Sequence, residues 1–379
     1  MTEAETLVEL LIANRRVDRH IGYLEGENVE RRVSYAELHE RALGILWRLR
    51  RLGVARGDPL IIFLNNNEAF IDGFCAALSG GIVPVPLAVG ISDEHRFKLL
   101  RVAQQLGEPW LYTDRKGLER LGAFAAEHAE SAIFEGLRAR VFLIDDIEDV
   151  GRAADPVSVQ PGDVAFIQYS SGSTSDPKGV VLTHRNILAN ARGASEAAGF
   201  SDRDVSVSWM PLTHDMGLIG FFIMMFANRM QLNLMPTELF IRRPLLWTTF
   251  LSRKKATLSS SPNFGYRHYL KVLGDRPLEG IDLSSVRLIF NGAEPISVEL
   301  CDEFMDRLAP AGLAREAMFP VYGLAEASLA MTIPAPGHAY RAVSVDRRQL
   351  RVGDRVRVIP RGQSGALVLM RVGRAIPYT

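Results

Sequence analysis

Cysteine is almost absent: 379 residues hold only two, Cys75 and Cys301. Both fall in apolar, helix-patterned stretches, so each reads as core packing and a disulfide framework is excluded. Net charge is absent as well. Lys and Arg number 44, and so do Asp and Glu, which removes any bulk electrostatic case for a nucleic-acid or membrane-surface partner. No apolar run is long enough to span a bilayer. The longest, MGLIGFFIMMFA at 216–227, falls well short of the roughly 20 residues required. The N-terminus, MTEAETLVELL, is acidic and lacks a basic region ahead of an apolar one, so no secretory leader is read. Internal repeats and low-complexity blocks are missing too. The expectation is a chain with no integral membrane segment and no nucleic-acid partner, at home in the reducing cytoplasm.

What is present is a globular composition, 47% hydrophobic and 23% charged, with strand and helix patterns in alternation. Ser34-Tyr-Ala-Glu37 reads as a capping box. It opens a helix with Leu38, Ala42, Ile45, Leu49 and Leu52 near one face, and Gly53 stops it. Strands are expected at 59–64, 82–87, 110–113, 141–145 and 164–169, with helical segments between them. A helix over 184–198 follows, then a strand at 205–209, a helix near 217–229, and strands at 231–235 and 286–290. Such alternation implies an α/β fold with largely parallel sheets covered on both faces. The reading is two α/β subdomains packed together, 1–160 and 161–335, with the polar stretch 151–163 as linker. Residues 336–379, rich in Arg, Val and Asp, would begin a small β-subdomain.

The stretch YSSGSTSDPKGVVLTH, 169–184, concentrates hydroxyls, two glycines and a lysine directly after an apolar strand. Glycines let backbone amides approach an anion, hydroxyls donate further hydrogen bonds, and lysine adds charge. That is phosphate-binding chemistry, although Ser, Gly, Asp and Pro equally build solvated turns. The Walker pattern does not fit, because Pro177 stands where its second glycine belongs and Gly179 follows the lysine. Four later stretches also stand out: PLTHDMGLIG (211–220), SSSPNFGYRHY (259–269), NGAEPIS (291–297) and VYGLAEASLA (321–330).

The 169–184 stretch resembles the phosphate loop of the adenylate-forming superfamily, with Ser175 where many relatives have glycine. The HDMGLIG and SPNFGY segments are most similar to fatty acyl-AMP ligases, and the 343–359 region loosely resembles an insertion typical of them. The resemblance implies ATP and Mg2+ as cofactors. Ser170, Ser171, Gly172 and Ser173 would bind the nucleotide phosphates, while Thr174 and Lys178 would act on them catalytically. Gly292, Ala293, Glu294, Pro295, Tyr322 and Gly323 would bind the adenine region. Thr174 and Glu326 would hold the metal, Glu326 as a third catalytic residue. His214, Asp215, Met216, Gly217, Asn263 and Phe264 would contact the acyl substrate, with Leu218 and Met225 along the acyl tunnel. The implied activity is formation of a fatty acyl-adenylate for transfer to an acyl carrier protein. An acyl-CoA or aryl-CoA ligase, an amino-acid adenylation domain and a binding-only fragment stay open. The superfamily continues past the G-R-x-I-P segment at 373–377 into a mobile C-terminal domain with a catalytic lysine. The expectation is therefore the large N-terminal part of a longer enzyme, impaired in turnover by itself.

Overall fold

The fold is described by a computed structural model, which covers residues 3–90, 92–146, 151–170, 177–353 and 355–378. The chain opens with helix α1 (Leu7–Asn14), followed by the antiparallel pair β1 (His20–Leu24) and β2 (Glu30–Ser34). Helix α2 (Tyr35–Leu52) starts where the Ser34 hydroxyl accepts the Glu37 N–H, and Gly53 ends it in the left-handed conformation. Then come β3 (Pro59–Phe63), α3 (Asn67–Gly80), β4 (Val83–Pro86), α4 (Asp93–Leu106), β5 (Trp110–Thr113), α5 (Arg115–Glu127), α6 (Ser131–Ala139) and β6 (Val141–Leu143). Four of these strands form a wholly parallel sheet in the order β4-β3-β5-β6. Their continuous apolar sequences fit burial on both faces.

A hairpin follows: β7 (Val164–Ser170) pairs antiparallel with β8 (Lys178–Thr183). The strands that flank residues 171–176 pair with each other, whereas a Walker loop leads from a strand into a helix. Helix α7 (His184–Ala198) starts on a two-way capping box between Thr183 and Asn186. After β9 (Val205–Ser208), the segment Met216–Ile223 is a π-helix, continued by α8 (Met224–Ala227) and β10 (Gln231–Leu234). Next are α9 (Thr237–Arg242), α10 (Leu246–Arg253), β11 (Leu258–Ser260), α11 (Asn263–Leu273), β12 (Leu288–Asn291), α12 (Val298–Leu308) and β13 (Met318–Pro320).

The larger sheet runs β13-β12-β11-β9-β10-β1-β2, parallel except for the last pair. Strand pairing crosses the expected boundary between 1–160 and 161–335. Residues 20–34 belong to the sheet of the second half, because Ile21 to Tyr23 pair with Leu232 to Leu234. The 161–335 block thus needs the N-terminal hairpin to cover the edge of β10.

The tail holds β14 (Tyr322–Gly323), β15 (Ala330–Ile333), β16 (Ala342–Asp346), β17 (Ala366–Met370) and β18 (Arg374–Ala375). Strand β16 pairs along its length with β17, and residues 357–359 touch it through a single Val345–Val358 bridge. Cys75 and Cys301 are both buried free thiols, as their apolar settings imply. Among the described residues no helix is long and apolar enough to cross a membrane.

Candidate functional site

A cavity of about 930 Å³ opens among α4, the β7–β8 hairpin, the π-helix and β14–β15. Its lining combines two chemistries. Apolar side chains come from Phe221, Met224, Met225, Phe290, Leu329 and Ile333, and polar ones from His214, Asp215, Tyr322, Glu326, Lys98 and Arg101; Ala293 lines it as well.

The π-helix explains much of the apolar lining. A Cβ on Gly217 would sit 2.1 Å from the Pro211 carbonyl oxygen, so only glycine lets the chain turn into the helix here. Gly220 lines the cavity, and a Cβ there would stand 3.1 Å from Leu329 Cδ2. Glycine therefore widens the pocket. π-Helical turns re-aim side chains and recur at functional sites. Here Leu218, Phe222 and Phe226 point to the core, where Phe222 meets Phe74 at 6.5 Å and Phe226 meets Tyr35 at 4.5 Å. Met216, Phe221, Met224 and Met225 line the cavity instead. Leu218, expected on the tunnel, is a core residue.

At the start of this helix His214 Nδ1 lies 2.7 Å from Asp215 Oδ1. Asp215 also accepts the Met216 N–H at 2.7 Å, a carboxylate on the positive end of the helix. The pair is fixed from behind by Gln168 on β7, whose amide donates to the Thr213 carbonyl at 2.8 Å.

The rim is built from two turns. In the first, Ala293 lines the cavity with φ of +70°, a strained value for a residue with a Cβ. Gly292 packs against Val321, where a Cβ would come within 3.1 Å of its side chain and carbonyl oxygen. Asn263 holds this turn: it donates to the Pro295 carbonyl at 2.5 Å and accepts the Ser297 N–H at 3.3 Å. The Glu294 carboxylate accepts the Phe264 N–H at 3.1 Å. Gly292, Glu294, Pro295, Asn263 and Phe264 thus shape the turn without lining the cavity, and Phe264 packs edge-on against Trp209.

The second turn presents Tyr322, about half exposed, and Glu326. Gly323 is obligatory, because a Cβ there would lie 1.8 Å from the Leu329 carbonyl oxygen. Asn190 of α7, buried, clamps the turn. It donates to the Ala327 and Ala330 carbonyls at 3.1 and 2.7 Å and accepts the Ala330 N–H at 3.0 Å. Glu326 itself is exposed and makes no hydrogen bond or ion pair among the described residues. A carboxylate held at a cavity rim and left unpaired fits a cation that arrives with its own phosphate ligands. Among the described residues no cluster of three His, Cys, Asp or Glu offers a resident metal cage.

The phosphate-loop assignments are placed only in part. Ser171, Gly172, Ser173 and Thr174 lie outside the described residues, and Ser170 is known only as the end of β7. Lys178 begins β8, exposed, beside Pro177, which lines the cavity. Sequence reasoning missed Asn190, Gln168 and the α4 cations. Lys98 sits 3.4 Å from the Tyr169 carbonyl oxygen, and burial lowers its pKa. It belongs to the first sheet's layer, and only the tertiary fold brings it to this cavity.

The family pattern described as AMP-binding enzyme matches residues 13–375. The chain belongs to that family. It is 34% identical over 345 residues to a 4-hydroxyphenylalkanoate adenylyltransferase of Mycobacterium tuberculosis, covering 88% of this chain and 54% of that protein. It is 30% identical over 324 residues to the medium-chain-fatty-acid–[acyl-carrier-protein] ligase JamA of Moorena producens, covering 84% and 54%. The fold matches a fatty acyl-adenylate ligase from Legionella pneumophila, solved with acyl adenylate and pyrophosphate. The TM-score is 0.87 at 28% identity, over 98% of this chain and 64% of that one. The chain spans little more than half the length of the curated relatives it matches. The chain is thus a member of the AMP-binding enzyme family with the expected α/β fold.

Proposed function

We propose that the protein containing this chain activates a fatty acid with ATP as an acyl-adenylate, then passes the acyl group to the phosphopantetheine thiol of an acyl carrier protein. The observation that carries this reading is the cavity's mixed lining, which holds the apolar Phe221, Met224 and Met225 together with the polar Tyr322 and Glu326. A substrate with a lipid tail and a nucleotide head matches both kinds of lining at once.

In this reading the fatty acid carboxylate attacks the α-phosphorus of ATP, and the bond to the departing pyrophosphate breaks. The barrier is mainly alignment of two anions and charge on the phosphates. Thr174 and Lys178, with Ser170, Ser171, Gly172 and Ser173, would hold the phosphates. Gly292, Ala293, Glu294, Pro295, Tyr322 and Gly323 would frame the adenine, and Met216 and His214 would border the reacting carboxylate. Asp215, Gly217, Asn263 and Phe264 act by shaping that border. Glu326, with Thr174, would hold the Mg2+ that enters on ATP and neutralises phosphate charge.

A second reading, an aryl-CoA or aryl-alkanoate ligase, draws on the rings that line the cavity. Phe200 and Phe221 both stand edge-on to Phe290, at 5.9 and 6.0 Å, an arrangement that also suits an aromatic guest. The deciding experiment offers the full-length enzyme CoA and carrier protein together, with alkanoic and aryl-alkanoic acids in competition. Dominant acyl-carrier product from alkanoic acids is expected. Dominant acyl-CoA would overturn the acceptor, and aryl preference would overturn the substrate class.

A further inference from the structure

The segment 338–374 is the most one-sided part of the chain. It holds nine arginines and two aspartates, with no lysine or glutamate, in a chain that is neutral overall. Five of the arginines, Arg347, Arg348, Arg351, Arg355 and Arg357, follow the end of β16 in a single lobe. The lobe folds back on itself: the Asp346 N–H donates to the Arg357 carbonyl at 2.9 Å, and Val345 bridges Val358. All five arginines are exposed, and none forms an ion pair among the described residues. Arg361, at the foot of the lobe, behaves differently. It pairs with Glu299 and Asp302 on α12 at 3.4 and 3.2 Å. Helix α12 starts at the end of the 291–297 turn, so the lobe is tied to the rim of the cavity.

Five like charges in one lobe repel one another. Among the described residues Asp346 is the lobe's own carboxylate, and it accepts the Arg348 backbone N–H at 3.1 Å without an ion pair to any of the five. Val352, Val356 and Val358, interleaved with the arginines in sequence, are more than half exposed. The lobe therefore presents exposed cations together with small apolar side chains. Guanidinium groups match carboxylates through two parallel hydrogen bonds. The lobe has no Trp, Tyr, Phe or Lys from 341 to 374, the residues that mark a membrane-interface surface.

We propose that this lobe is the docking surface for an acidic carrier protein, the acyl acceptor of the proposed function, on which the inference rests. Carboxylates on the carrier would meet the arginines, and its apolar side chains would meet the valines. Such contacts govern encounter rate and register more than chemistry.

The test uses the full-length enzyme and its triple variant Arg351→Glu, Arg355→Glu, Arg357→Glu. Acyl-AMP formation, read as pyrophosphate exchange, should stay within twofold, which also confirms folding. The KM for the carrier should rise at least tenfold, and the wild-type KM should rise with salt. Transfer to the carrier with an unchanged KM in the triple variant would overturn the docking surface alone. Wild-type enzyme that forms acyl-AMP but transfers nothing to any carrier would overturn the acceptor reading and the docking surface together. Loss of binding to phosphatidylserine vesicles in the variant, with carrier KM unchanged, would assign the lobe to lipid and overturn the proposal.

Discussion

At the residue scale, Glu326 and Asn190 divide the work of one turn. Glu326 is exposed and has no hydrogen bond or ion pair among the described residues, so removing its charge takes none of these away. Glu326→Gln should lower pyrophosphate exchange by about 100-fold or more, the usual cost of losing one electrostatic stabiliser of phosphate charge. The melting temperature should not move. A rate within twofold of wild type would remove Glu326 from the metal. Asn190 is buried and satisfies three backbone groups. Asn190→Ala should cost about 2 kcal/mol in denaturant unfolding, since buried polar groups lose their partners. It should also raise the KM for ATP through the displaced turn. An unchanged KM alongside lost stability would make Asn190 a purely structural residue. Glu326 stood out in the sequence through its motif. Asn190 did not, because an asparagine in a helix carries no mark of the distant strand it will clamp.

At the scale of elements, the π-helix decides which side chains see the substrate. The family resemblance put Leu218 and Met225 along the tunnel, whereas the structure buries Leu218 in the core and leaves Met225 at the cavity. Met225→Trp should shorten the preferred acyl chain by several carbons in a chain-length competition assay. Leu218→Trp should leave the chain-length profile alone and destabilise the fold by about 1–3 kcal/mol through overpacking. The reverse pattern would mean that the helix faces are assigned the wrong way round. The strands at 59–63, 83–86 and 110–113 were legible because buried parallel strands are continuous apolar runs. The partnership of 20–34 with β10 was not, because edge pairing depends on which strand is left uncovered and local patterning does not encode that.

At the scale of the whole molecule, two buried titratable groups set opposing pH responses. Burial lowers the pKa of His184 to about 4; its Nδ1 accepts the Leu7 N–H at 3.2 Å and so fastens α1 to α7. The unfolded chain takes up that proton near pH 6.5, so this group costs stability as pH falls from 6.5 towards 4. Burial raises the carboxyl of Asp72 to about 7 despite its Arg41 partner. The folded state holds that proton between about pH 4 and 7, so Asp72 costs stability as pH rises through the same window. Each slope is about 1.4 kcal/mol per pH unit. His184→Asn keeps an acceptor for Leu7 and removes one slope. Relative to the wild type, the variant should therefore lose less unfolding free energy as pH falls from 6.5 towards 4, read by denaturant unfolding of both proteins across that window. A difference between the two that does not change with pH would show that His184 takes up its proton as readily in the folded state as in the unfolded one.

The central claim is that one cavity accepts both a lipid tail and an adenylate head. The most direct measurement is calorimetric titration of this chain with non-hydrolysable acyl-adenylate mimics carrying short, long and aminoacyl groups. The account predicts tightest binding for a long acyl chain, lost in Met225→Trp and weakened in Asn190→Ala. Equal affinity for all three mimics, or preference for the aminoacyl form, would contradict it.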